Sequence, residues 1–165
     1  MVGCVGQQVA RLSRAFGATV LAHDVRDYDA FYRDNGVTPV SLDSLLRQSD
    51  IVTLHVPLDA STRALIDAAA LSLMKPDAFL VNTARGGIVD EQALKRALVD
   101  QRLAGAAFDV FEVEPSADAE LLRLPGFIGT PHIGGGTREA ALAMGRAAIQ
   151  GLEAGPGSID LTSNT

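Results

Sequence analysis

Short apolar runs at residues 51–56, 78–81, 104–110 and 127–129 alternate with segments of helical periodicity, and polar residues, prolines or glycines gather just after the runs. Unalternating runs of that length suit strands covered on both faces. Strands and helices in turn predict an α/β fold: a doubly wound, three-layer parallel sheet whose ligands lie beyond the carboxyl ends of its strands. A further short strand is expected at residues 19–22. Helices are expected over residues 7–16, 41–48, 67–74 and 137–153, with another after Asp90, which is placed to cap it and to turn Ala93, Leu94, Ala97 and Leu98 inward. In the first helix Val9, Leu12 and Phe16 share a face, and Gly17 is positioned to end it.

A chain of 165 residues, 47% hydrophobic and 21% charged, is long enough for one domain with a real core. The net charge of −6 comes from 20 acidic and 14 basic residues with no lysine or arginine cluster, which disfavours nucleic acid and anionic membranes as partners. Cys4 is the single cysteine, so there is neither an internal disulfide nor a CxxC pair for zinc. No apolar run approaches the ~18 residues of a membrane span, and the start lacks a signal-peptide pattern. The expectation is a soluble, cytoplasmic protein. No two histidines have i, i+4 spacing, so no metal site is expected.

Gly3-Cys4-Val5-Gly6 has the ending of a dinucleotide-binding fingerprint, with Met1 where the first glycine belongs. On that reading Gly3 lets the backbone approach a pyrophosphate, and Gly6 lets the following helix pack closely on the sheet. Asp24 stands 18 positions after Gly6, at the end of the next strand. A carboxylate there accepts hydrogen bonds from both adenosine ribose hydroxyls and repels a 2′-phosphate, which favours NAD over NADP. A tight turn before a helix is the plainer reading of the same glycines.

Arg85 directly follows a buried strand and precedes Gly86-Gly87, so its planar fork suits a carboxylate or a carbonyl beside one; a surface arginine at a turn fits the segment too. Glu114, before Pro115, is ambiguous, because Glu112 lies two residues away and the run also reads as a solvated acidic loop. His132 lies in a loop between Pro131 and a run of three glycines; His55 reads as a packed structural residue and His23 as a neighbour of the cofactor. Arg85, Glu114 and His132 follow separate strands of one sheet and can meet at one edge. An arginine to hold a carboxylate, a histidine to trade a proton and a glutamate to hold the imidazole are what reduction of a 2-keto acid requires.

Residues 3–10 with Asp24, "SLDSLLRQSDIVTLHVPL" from Ser41, "MKPDAFLVNTARGGIVDEQAL" from Met74, "GAAFDVFEVEP" from Gly105 and "TPHIGGGTREA" from Thr130 together resemble the nucleotide-binding domain of the D-isomer-specific 2-hydroxyacid dehydrogenases, most nearly the D-3-phosphoglycerate dehydrogenase branch. The resemblance runs over residues 2–153 and implies a Rossmann-type fold. It also implies hydride transfer between NAD and a small-molecule 2-hydroxy acid, in a homodimer or other homo-oligomer. It makes Arg85 the substrate-binding arginine, His132 the acid/base and Glu114 its paired carboxylate. Asp109 matches the residue that binds the nicotinamide carboxamide, and Cys4 and Val5 match backbone positions at the pyrophosphate. Val56, Pro57, Thr83, Ala84, Arg85, His132, Gly134 and Gly135 match further cofactor contacts. The same fold also serves in corepressors, so a non-catalytic NAD-binding interaction module is the alternative.

Relative to that family, residues 1–153 are expected to be an NAD-binding domain incomplete at its N-terminus, and residues 154–165 a linker or a stub of a substrate domain. The first glycine and the strand ahead of it have no counterpart. That strand is central in the expected order, flanked by the strands ending at Asp24 and Val56, so its absence leaves two buried-type strands as edges. The chain accordingly reads as a fragment or mis-started reading frame with little activity of its own.

Overall fold

The structure, a computed structural model, describes residues 2–153. Met1 and the expected linker at residues 154–165 lie outside the described residues. The chain divides into two units, Met1–Pro131 and His132–Thr165.

The first unit runs α1 (Cys4–Ala15), β1 (Val20–Ala22), α2 (Asp29–Asn35), β2 (Val37–Pro39), α3 (Leu42–Gln48), β3 (Ile51–Leu54), α4 (Ala68–Leu73), β4 (Phe79–Asn82), α5 (Glu91–Val99), β5 (Gly105–Phe108), a 3-10 turn (Leu121–Arg123) and β6 (Phe127–Gly129). The α/β class with parallel sheets is as expected. The strands form two sheets: β1 pairs with β2, and β3-β4-β5-β6 pair in that order, every pair parallel. Asp67 and Asp90 cap α4 and α5 by accepting from the amides of Ala70 and Ala93 at 2.8 and 2.9 Å, and Ser41 caps α3 by accepting from Ser44 at 3.2 Å. Each such cap is worth about 1 kcal/mol.

In the larger sheet the register aligns Val52, Leu80, Ala106 and Phe127 as one buried row. Leu46 of α3, Leu71 of α4 and Leu94 of α5 close over it, and the rings of Phe108, Phe111 and Phe127 pack with centroids 5.6–6.3 Å apart. Burying each of these large side chains contributes about 1.5–3 kcal/mol, so this cluster dominates the stability. The strands were expected to be covered on both faces; β5 buries both Gly105 and Ala106, whereas β3, β4 and β6 leave one face open at their exposed residues. Ile51, Phe79 and Ile128 on the opposite face are 64%, 46% and 65% exposed, because α3, α4 and α5 all dock on the same side.

The smaller sheet has its own cluster, built on Val2, Ala10, Ala22, Tyr32 and Val37. Helix α1 starts at Cys4, three residues before the expected start, and Gly17 ends it with φ of 86°. Of the face formed by Val9, Leu12 and Phe16, Leu12 and Phe16 are exposed and Val9 lines a cleft. That cleft, about 540 Å³, separates β1 from β3, the two strands predicted to become edges. Among the described residues no helix is long and apolar enough to cross a membrane.

On the surface of the first unit, Lys95 Nζ lies 2.8 Å from Asp118 and 3.1 Å from Glu120. The hydrogen bond from Lys95 is the main cause that lowers the Asp118 carboxyl to about 2. The bridge therefore persists above the ordinary carboxylate range and is lost as pH falls toward 2. A carbon-detected NMR titration is expected to find the Asp118 midpoint well below those of ordinary exposed aspartates.

Candidate functional site

Residues that follow β4, β5 and β6 share the carboxyl edge of the larger sheet. Asn82, the last residue of β4, is 1% exposed, and both ends of its side-chain amide are engaged. Its Nδ2 donates to the Arg85 carbonyl at 2.9 Å, and its Oδ1 accepts from the Ala84 amide at 3.1 Å. The backbone from Thr83 to Arg85 is thereby curled over the strand end, with Thr83 and Arg85 exposed and Ala84 half-buried. Arg85 Nη1 donates to the Ala84 carbonyl at 2.6 Å.

The next residue fixes this turn against a second one. A Cβ on Gly86 would lie 1.9 Å from the Phe111 carbonyl oxygen, so only glycine lets the two backbones approach. The loop pressed against it carries Glu114, whose Oε1 accepts from the Phe111 amide at 3.0 Å. Glu112 turns elsewhere, its carboxylate 3.3 Å from Arg63 and its amide donating to Glu91 at 2.7 Å. The two glutamates that the sequence leaves ambiguous therefore differ in partner, and Glu114 is the one whose carboxylate folds back onto its own loop.

Asp109 follows β5, is 7% exposed, and donates its amide to the Asn82 carbonyl at 3.0 Å. Thr130, just past β6, donates its hydroxyl to Asp109 Oδ1 at 2.5 Å. At the end of β3, Val56 is half-buried against the core and Pro57 is exposed, its carbonyl accepting from Thr62 at 2.7 Å.

The glycine turn belongs to the smaller sheet. Gly3 is the N-cap of α1, and a Cβ built on it meets nothing within 4 Å, so protein packing does not require glycine there. Open space above first-turn amides is what the approach of a pyrophosphate needs, and this fits a dinucleotide. Cys4 and Val5 are exposed, while Gly6 is half-buried and faces the cleft. Asp24 Oδ2 accepts from the Val2 amide and Oδ1 from the Arg26 amide at 2.9 Å, which draws this carboxylate to the glycine turn. His23 lies beside it with Nδ1 3.1 Å from the Val40 carbonyl. His55 is half-buried with Nε2 3.1 Å from Thr53 Oγ1, and burial lowers its pKa, in keeping with a packed structural histidine.

The second unit opens on His132, which is exposed and has φ of 53°. The left-handed region costs a non-glycine residue about 1–2 kcal/mol. Gly134 and Gly135 are exposed, and α6 (Arg138–Glu153) follows, with Thr137 Oγ1 accepting from the Ala140 amide at 3.1 Å. The structure thus brings the loops of Arg85 and Glu114 together, while His132 belongs to the other unit.

Asn82 and Thr130 emerge as positioning residues that the sequence reading passed over. Their signals were present: an asparagine closing an apolar strand just before an arginine turn, and a threonine closing the next-but-one strand before a histidine.

A family model described as "D-isomer specific 2-hydroxyacid dehydrogenase, NAD binding domain" matches residues 2–134. The chain is 43% identical over 145 residues to a D-3-phosphoglycerate dehydrogenase of Methanocaldococcus jannaschii, covering 87% of this chain and 28% of the relative. It is 42% identical over 146 residues to a hydroxypyruvate reductase of Thermotoga maritima, covering 87% of this chain and 47% of that one. Among solved structures, a glyoxylate reductase from Paecilomyes thermophila superposes with a TM-score of 0.87 at 39% identity, over 93% of this chain and 47% of that one. The chain therefore spans between about a quarter and a half of the length of these relatives.

Proposed function

Because the chain belongs to the D-isomer specific 2-hydroxyacid dehydrogenase family, whose members are NAD-dependent enzymes acting on CH–OH groups, we propose that it is the cofactor-binding portion of such an oxidoreductase, moving a hydride between NAD and a small 2-hydroxy or 2-keto acid. The relatives named above differ in substrate, and the phosphoglycerate-like assignment is supported by the motifs and by the likeness to D-3-phosphoglycerate dehydrogenases. The observation that carries the proposal is the buried Asn82 clamp, which presents Arg85 at the carboxyl edge of the sheet beside the loop of Glu114.

Bound NAD supplies the hydride acceptor, C4 of the nicotinamide. Arg85 holds the substrate carboxylate by two parallel hydrogen bonds and fixes the reacting carbon. His132 takes the hydroxyl proton in oxidation and returns it in reduction, and the uncommon backbone at this position supports a specialised role. Glu114 holds the imidazole. Asp109, its carboxylate steadied by Thr130, receives the nicotinamide carboxamide. Backbone amides of Gly3, Cys4, Val5 and Gly6 receive the pyrophosphate, and Asp24 the adenosine ribose. Val56, Pro57, Thr83, Ala84, Gly134 and Gly135 complete the cofactor's surroundings, in a homodimer or larger homo-oligomer.

Calorimetric titration of the chain with NAD and NADP, followed by a turnover screen against 2-hydroxy acids, tests this. NAD is expected to bind at least about tenfold more tightly than NADP, and Asp24→Ala to narrow that gap by weakening NAD. Equal affinity for the two cofactors in the unaltered chain overturns the role given to Asp24. NAD binding with no turnover of any 2-hydroxy acid favours the non-catalytic binding module instead.

A further inference from the structure

We propose that Glu91 is the positioning residue for Glu114: by accepting the Glu112 amide, its carboxylate fixes the one peptide unit on which the turn 111–114 pivots. On the reading given above Glu114 holds the imidazole of His132, and the consequence for catalysis rests on that reading. The Phe111–Glu112 peptide lies against Gly86, where a Cβ would come within 1.9 Å of the Phe111 oxygen and 2.5 Å of the Glu112 nitrogen. That contact sets where the peptide lies and leaves open which way its N–H points. Glu91 Oε1 sets the direction by accepting that N–H at 2.7 Å. One peptide back, the Phe111 amide donates to Glu114 Oε1 at 3.0 Å, so the orientation of the first peptide passes to the second and to the carboxylate.

The competing influences on this turn are weaker. Residues 112–115 are exposed, so apolar burial contributes little to their conformation and hydrogen bonds decide it. The Glu112 carboxylate pairs with Arg63 at 3.3 Å, but the two side chains are 60% and 59% exposed, and water screens an ion pair of that kind. The bond to the half-buried Glu91 is charge-assisted and belongs to the stronger class. The far end of the same loop is tied separately: Gln92 and Lys95 of α5 reach Asp118 at 3.3 and 2.8 Å.

Glu91 stands on a rigid base. It is the first residue of α5, whose N-cap Asp90 accepts the Ala93 amide at 2.9 Å and donates its own amide to the Ile66 carbonyl at 3.1 Å. One turn on, Leu94 is fully buried. Burial raises the Glu91 pKa above the ordinary glutamate value, the Glu112 amide works the other way, and the nearby Glu112 and Asp118 charges add to the rise. An acid whose folded pKa is raised contributes less stability as pH rises, so the ionised carboxylate is kept at a cost to the fold. A hold on the Glu114 turn accounts for that cost, and a packing role does not.

Amide exchange in the 165-residue chain reads the hold itself, and kinetics of the polypeptide that carries this domain read its consequence. Glu91→Ala is expected to speed exchange at Phe111 and Glu112 by about tenfold or more relative to Leu80 and Ala106 in the strands, while Glu91→Gln, which keeps an acceptor oxygen, stays within about threefold of the parent. With Glu114 loosened the His132 imidazolium loses support. The pH above which 2-keto acid reduction falls off is therefore expected to drop by about half a pH unit or more in Glu91→Ala and to stay at the parent's value in Glu91→Gln, with KM within about twofold in both. Lys95→Met, which frees only the far end of the loop, is expected to leave that pH unmoved. Unchanged exchange in Glu91→Ala, or equally fast exchange in Glu91→Gln, overturns the hold. An unmoved pH profile in Glu91→Ala, or the same displacement in Lys95→Met, overturns its consequence for catalysis. A parent polypeptide that turns over no 2-hydroxy acid fails the proposed function instead, and the exchange measurement still decides the role of Glu91.

Discussion

Arg85→Ala lowers 2-hydroxy acid turnover by about 10²–10³-fold in the polypeptide that carries this domain, while the Kd for NAD stays within about twofold. On the proposed assignments the other end of the cofactor is held by the glycine turn and Asp24, apart from this guanidinium, and the Arg85 backbone is held by Asn82 whatever the side chain. Arg85→Lys recovers little, since an ammonium is a point charge without the planar fork. His132→Ala is expected to cost about 10²–10⁴-fold in kcat, the range for loss of a positioned general acid/base. Steady-state kinetics beside an NAD titration separates the two quantities, and near-wild-type turnover in either variant removes that residue from the mechanism.

Gly86→Ala has the largest expected effect on folding. The added methyl would overlap the backbone of Phe111 and Glu112, with contacts of 1.9 and 2.5 Å to the Phe111 oxygen and the Glu112 nitrogen, and no side-chain rotation relieves it. A backbone shift of the two loops is the only escape, at a cost on the order of 3 kcal/mol or more. Urea denaturation checks this through a lowered midpoint. In the fraction that folds, the loops of Arg85 and Glu114 are expected to separate, visible as shifted amide resonances on both sides of the contact. A midpoint within error of the parent chain would show that the loops are not joined at this glycine.

Much of the fold was legible because its signals are local. Asp67, Asp90 and Ser41 cap the helices that follow them, and β6 (Phe127–Gly129) lies where the apolar run placed it. α2 and β2 were missed, since their stretch reads as polar and buries little beyond Tyr32 and Val37. The exposed side of β3 was misjudged for a different reason. An apolar run states that a face can be covered, and only the docking of α3, α4 and α5 on one side decides whether it is. At the site, residue types pointed to Arg85, Glu114 and His132 and the family resemblance to Asp109, whereas Thr130 reaches Asp109 across 21 residues of chain and Asn82 clamps its own turn through a fold-back that residue type alone does not announce.

The two hydrophobic clusters have one further consequence. Gly3, Gly6 and Asp24 ride on the small sheet with its few buried residues, whereas Thr83, Arg85 and Asp109 ride on the large one. On the proposed assignments a dinucleotide spans both and acts as a cross-brace. The work of holding two sheets in mutual register is then drawn from its binding energy, so the adenosine half alone should steady only β1 and β2, and the whole molecule should bind less tightly than it would to the same two sheets already fixed in register.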